Sequence, residues 1–183
     1  ANWNPSTGVP GTGDTAYFRD SGLANAPQTV ELTTSVRIAV LSCTATGDRH
    51  VTITTGNGST LTFEAGNDVS GTGRGVTLTF NVNVFYDADS FIVEREGQSV
   101  VFNGNVLPLP PFAGSYLNVN DLGTLVLRGS NVFVDANYAV RNNNAGEIVV
   151  GGRYALGHQT VRNVTAGGVL SFESDAVISG NLA

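Results

Sequence analysis

Three stretches of this 183-residue chain repeat one phrase: a glycine, a small residue, alternating apolar positions, then small or polar turn residues. The phrase reads GSTLTFEAGN at 58–67, GTLVLRGSN at 123–131 and GGVLSFESDA at 167–176. Two apolar residues lie two apart in each copy, which on an extended strand puts both on one side and their neighbours on the other. The alternation runs the length of the chain, in Val36/Ile38, Val51/Ile53, Val76/Leu78/Phe80, Val100/Phe102, Leu125/Leu127, Ile148/Val150 and Leu170/Phe172 among others. β-Branched residues dominate it, and no window of helical length carries a three-to-four spacing. Between these pairs stand turn formers such as Thr55-Gly56-Asn57-Gly58, Asn142-Asn143-Asn144 and Gly151-Gly152. A chain that repeats strand and turn in this way is expected to stack copies of the unit.

A β-sandwich and a β-solenoid both fit such a pattern. Sandwich strands pair as hairpins of roughly five to six residues, whereas solenoid strands are shorter, turn corners often and resemble one another from coil to coil. The short apolar pairs and the repeated phrase favour the solenoid, a single domain over 1–183. At about 22 residues per coil the chain makes about eight coils, which stacked near 4.8 Å apart form a body roughly 40 Å long. One segment breaks the rhythm: Leu107-Pro108-Leu109-Pro110-Pro111-Phe112 cannot lie in the interior of a sheet, because its prolines remove ladder donors. Residues 106–116 are therefore expected as a proline-rich loop between coils.

Composition narrows the partners. The chain has 9 basic and 15 acidic residues, a net charge of −6, and its cations are all arginines scattered singly. That balance argues against nucleic acid, whose binding rests on clustered cations. The single cysteine, Cys43, excludes an internal disulfide and a multi-cysteine metal site. No apolar run is long enough for a membrane span, and no leader of charged and apolar regions opens the chain. With no methionine, Ala1 is not expected to be a translation start, and the chain reads as a processed or excised piece. The sequons Asn57-Gly58-Ser59 and Asn163-Val164-Thr165 would matter in a glycosylating host.

The run GTLVLRGSNVF at 123–133, then AGEIVVGGRYALGHQTV at 145–161 and AGGVLSF at 166–172, resembles the autotransporter-associated β-strand repeat of bacterial passenger domains. In that family a GTL-x-L-x-G-x-N-x-[FY] phrase leads into AG-x-[IL]-x-V-G, an ALG turn and a GG-x-L strand, and the four pieces stand here in that order. The opening, Asn2-Trp3, Gly8-Val9-Pro10 and Gly13-Asp14-Thr15-Ala16-Tyr17-Phe18, is similar to the start seen ahead of such repeats. Residues 89–106, with GQSVVFNG at 97–104, resemble a further coil of the family. Val134-Asp135-Ala136-Asn137 departs from the usual T/S-G-G-T turn. The resemblance implies a right-handed parallel β-helix at the cell surface or beyond, with no shared catalytic residues.

Chemistry is thinly signalled. Asp87 and Asp89 share a strand face, as do Glu94 and Glu96, but glycosidase carboxylates need defined separations and contrasting environments. Asp87 and Asp89 remain weak candidates for a calcium site, although the calcium-solenoid nonapeptide is missing. His50 and His158 read as surface residues, and Cys43, in step with Leu41, as an inert core thiol. Carbohydrate binding would fall to Trp3, Tyr17, Pro108, Pro110, Pro111, Phe112 and Tyr116, with surface glycans as partner. No catalytic residue, cofactor or metal is called for, and the expected role is mechanical: a structural element of an adhesin, or a head-to-tail fibre of copies meeting at Trp3 on one end and Val177, Ile178 and Leu182 on the other.

Overall fold

The structure, a computed structural model, describes residues 8–18, 27–43, 49–64, 69–70, 75–87, 90–94, 97–109, 116–120, 122–131, 139–142, 145–153, 155–156, 160–163 and 167–176. Short apolar alternations give short strands. Four three-sided turns come first: β1 (Thr15–Phe18), β2 (Gln28–Glu31) and β3 (Val36–Ile38); β4 (Val40–Cys43), β5 (Arg49–Thr54) and β6 (Leu61–Glu64); β7 (Val69–Ser70), β8 (Val76–Phe80) and β9 (Val84–Asp87); β10 (Ser90–Glu94), β11 (Ser99–Phe102) and β12 (Val106–Pro108). Three layers of two described strands follow: β13 (Tyr116–Asn120) and β14 (Thr124–Leu127), β15 (Ala139–Asn142) and β16 (Glu147–Val150), β17 (Thr160–Asn163) and β18 (Val169–Phe172). Among the described residues there is no helix.

Strands at the same place in successive layers pair in parallel, building a β-solenoid. One sheet runs β1-β4-β7-β10-β13-β15-β17, a second β2-β5-β8-β11-β14-β16-β18, and a third, of four strands, β3-β6-β9-β12. In the second sheet Gln28, Val51, Leu78, Val100, Leu125, Ile148 and Leu170 stand in one column, at steps of 23, 27, 22, 25, 23 and 22 residues. The described strands thus make seven layers, four of them three-sided, where the sequence spacing led us to expect about eight coils. The phrase copies at 123–131 and 167–176 occupy equivalent strands, β14 and β18. The copy at 58–67 does not: its strand is β6, in the third sheet.

Because like positions stack, the core is a set of columns. Val30, Ile53, Phe80, Phe102, Leu127, Val150 and Phe172 form the second inward column of that sheet. Within it the Phe80 and Phe102 rings are stacked with centroids 4.9 Å apart. Phe63, from the third sheet, meets Phe80 edge-on across the core at 6.3 Å. Corners stack as tightly as strands. A Cβ on Gly104 would lie 2.1 Å from the Val82 carbonyl oxygen, and one on Gly129 would lie 2.2 Å from that of Gly104. At Gly104 and Gly129 one layer's backbone rests directly on the next, leaving no room for a side chain.

Among the described residues β12 is the outermost strand of the third sheet on that side, and its first amide is bound differently from those of the other three. At the start of its strands Val36 N donates to Thr60 O, Leu61 N to Asn83 O and Val84 N to Asn105 O. At the fourth position Val106 N donates instead to the side-chain oxygen of Asn131, at 2.7 Å. Asn131 is fully buried, and its Nδ2 donates to Ala155 O at 2.7 Å. Leu109 N donates to Tyr86 O, so alternation turns the position of Pro108 away from β9, where no N–H is required. The expected loop over 106–116 is therefore corrected at both ends: Val106–Pro108 are the edge strand of a sheet, and Tyr116 opens β13. Pro110, Pro111 and Phe112 lie outside the described residues.

Candidate functional site

The fold scatters the residues that the sequence singled out. Tyr17 is exposed on β1, opposite Ser42, whereas Pro108 is half-buried in β12. Tyr116 pairs with Ser90 and Ala139 in the first sheet, about the solenoid from Pro108. Trp3, Val177, Ile178, Leu182, Asp89, Glu96 and His158 lie outside the described residues. Asp87 closes β9 opposite Glu64, and Glu94 closes β10 opposite Asn120. His50 is exposed on β5 opposite Thr77, and Cys43 ends β4 opposite Phe18. Among the described residues no three His, Cys, Asp or Glu side chains gather into a metal-binding group.

What the fold does assemble is a polar spine along the corner that follows the second sheet. Asn103 Nδ2 donates to Asn81 Oδ1 at 2.7 Å, and Arg128 Nη1 donates to Asn103 Oδ1 at 3.2 Å. Arg128 then reaches past the intervening layer to Glu173, with Nη2 to Oε1 at 2.6 Å and Nε to Oε2 at 2.9 Å. That reach requires Gly151: a Cβ there would lie 2.1 Å from Glu173 Oε2 and 2.7 Å from Arg128 Cγ. The hydrogen bonds from Arg128 hold the Glu173 carboxyl below the ordinary carboxylate range, against the opposing effect of burial. The same pairing raises the Arg128 guanidinium.

A second ion pair binds the first two layers. Arg37 Nε meets Glu64 Oε1 at 2.5 Å, and Gly13 N donates to Glu64 Oε2 at 2.9 Å. The hydrogen bond from Arg37 is the largest cause that holds Glu64 low, joined by the backbone donor of Gly13. Both carboxylates are thus committed as anions to cross-layer contacts, the opposite of what a proton donor at neutral pH requires. Sequence reading passed over this spine. Its signal was the pair FNVNV at 80–84 and FNGNV at 102–106, whose asparagines recur at the 22-residue step and stack.

The most unequal feature is the pair of ends. In the first layer Phe18 is 5% exposed, Leu32 4% and Ile38 1%, while Gln28 and Val30, its members of the second-sheet columns, are only partly buried. In the last described layer Phe172, at the head of its inward column, is 45% exposed, and Leu170 beside it is only partly buried. β18 is also the outermost strand of its sheet. Its Val169 and Glu173 amides donate back to Gly146 O and Val150 O, so alternation turns those of Leu170 and Phe172 outward. No protein-family model, curated protein or solved structure matches the chain.

Proposed function

We propose that the chain is a non-enzymatic structural solenoid, a right-handed parallel β-helix of the exported passenger type, serving at the cell surface or beyond as one length of a larger adhesive structure. The observation that carries this reading is Phe172, at the head of its inward column on the outermost strand β18 and 45% exposed. A parallel edge with unpaired backbone groups and an open apolar column fits another coil of the same kind. The first-layer strands β1, β2 and β3 are also outermost in their sheets, so the same edge argument extends to a head-to-tail fibre of copies as a second reading. Right-handedness rests on the strong bias of parallel crossovers toward that hand, and the extracellular setting rests on the passenger-type phrases at 123–172.

The test appends one further coil, a duplicate of the 22 residues 154–175, after Asp175 and compares its thermal stability and sedimentation with those of the parent chain. The reading expects the parent to self-associate with rising concentration, and expects the added coil to raise the melting temperature and reduce that association. A parent that stays monomeric and gains nothing from the added coil would contradict it.

A further inference from the structure

The chain contains two Asn-Gly pairs, Asn57-Gly58 and Asn103-Gly104, and the fold treats them in opposite ways. Asparagine before glycine is the sequence in which the following amide nitrogen most readily attacks the side-chain amide carbon, because glycine carries no Cβ to obstruct the approach. At the second pair that attack is blocked. Asn103 N and Gly104 N both donate to Phe80 O, at 2.9 and 3.2 Å, and the corner is pressed onto the Val82 carbonyl, 2.1 Å from where a Cβ would stand.

The first pair is open. Gly58 has a φ of +79°, and a Cβ placed there would meet nothing within 4 Å. The Asn57 side-chain oxygen accepts from Ser59 Oγ at 2.5 Å and from Ser59 N at 3.1 Å, an amide shared with Thr55 Oγ1, whose own single proton is divided between this oxygen at 2.8 Å and Leu32 O at 3.1 Å. That oxygen is the atom on which negative charge develops when a nucleophile adds to the amide carbon, so the donors stand where an oxyanion would need them. The other half of the amide, Nδ2, donates to Thr33 O at 2.8 Å and so ties the second layer to the first.

We infer that Asn57 is a self-modification site, converted by its own corner into aspartate and isoaspartate. Gly58 N forms a bond to Asn57 Cγ, the Cγ–Nδ2 bond breaks, and Nδ2 leaves as ammonia with the proton released from Gly58 N. Water then opens the five-membered imide at either carbonyl. The product carries a carboxylate where Thr33 O had a donor, so the tie between the first two layers is lost and one negative charge is gained. The first two layers thereby carry a chemical clock.

The test is peptide mapping by mass spectrometry, with aspartate and isoaspartate resolved, after incubation in mildly alkaline buffer. Folded wild type, wild type in urea and Ser59→Ala are compared. The expected result is that Asn57 converts in the folded chain at least as fast as in urea, Asn103 converts only in urea, and Ser59→Ala slows Asn57 several-fold in the folded chain alone. Continued protection of Asn103 reports that the variant is folded. Slower conversion of Asn57 in the folded chain than in urea, parallel conversion of folded Asn103, or an unchanged rate in Ser59→Ala would overturn the inference.

Discussion

Phe102 and Phe172 stand in the same inward column of the same sheet, yet one is wholly buried and the other nearly half exposed. Their strands are built from closely similar phrases, SVVF and VLSF, so the difference lies in what rests on them. In a solenoid each layer is completed by the next, and burial is a property of position in the stack. The first layer would be expected to share the exposure of the last, since it too has a neighbour on one side only. Its Val30, in the same column, is partly buried, and Phe18, Leu32 and Ile38 are enclosed, so the first layer exposes less of its apolar column than the last described one does.

The largest expected effect separates the two phenylalanines. Phe102→Ala removes a ring stacked on Phe80 and should cost about 3–5 kcal/mol in denaturant unfolding. Phe172→Ala should cost well under half as much in a dilute chain and should weaken self-association. Equal costs would break the contrast between closed interior and open end.

Next in size is the contrast between a finished edge and an unfinished one. The β12 edge is closed by Asn131, which serves Val106 N and Ala155 O at once, whereas the outward groups of β18 follow no such cap among the described residues. Asn131→Ala leaves both backbone groups buried without that partner and should cost about 1–3 kcal/mol, measured by chemical denaturation. An Asn131→Ala chain as stable as wild type would show that Asn131 does not secure the β12 edge.

How far such features can be read in advance depends on how local their causes are. Val51/Ile53 and Leu125/Leu127 announce their strands because alternation needs only neighbours in sequence. Pro108 announces an edge, though not that the strand runs up to the proline itself. Asn131 reads as an ordinary turn residue after Gly129-Ser130, because its role is set by Val106 and Ala155, about a layer away on either side. Arg128 and Glu173 are farther apart still, and their meeting depends on Gly151 leaving room between them. The binding residues nominated around the prolines presumed one loop, whereas Pro108 and Tyr116 belong to different sheets.

The smallest expected effect is electrostatic. The Glu173 carboxyl is held below its ordinary range by Arg128, so this pair adds stability at pH values above that range and loses it as pH falls through the lowered value. Being largely exposed and screened, the pair should contribute below about 1 kcal/mol. Glu173→Gln should therefore unfold slightly more easily than wild type at neutral pH, and that gap should close on acidification. A gap that widened in acid would reverse the assignment.

The central claim, that the last described layer is open at β18, is tested most directly by residue-resolved amide hydrogen exchange. The account predicts that Leu170 and Phe172 exchange rapidly in the dilute chain, that Ser171 between them is protected by its partner strand, and that an appended coil protects all three. Slow exchange of Leu170 and Phe172 in the dilute chain, unchanged by the added coil, would contradict it.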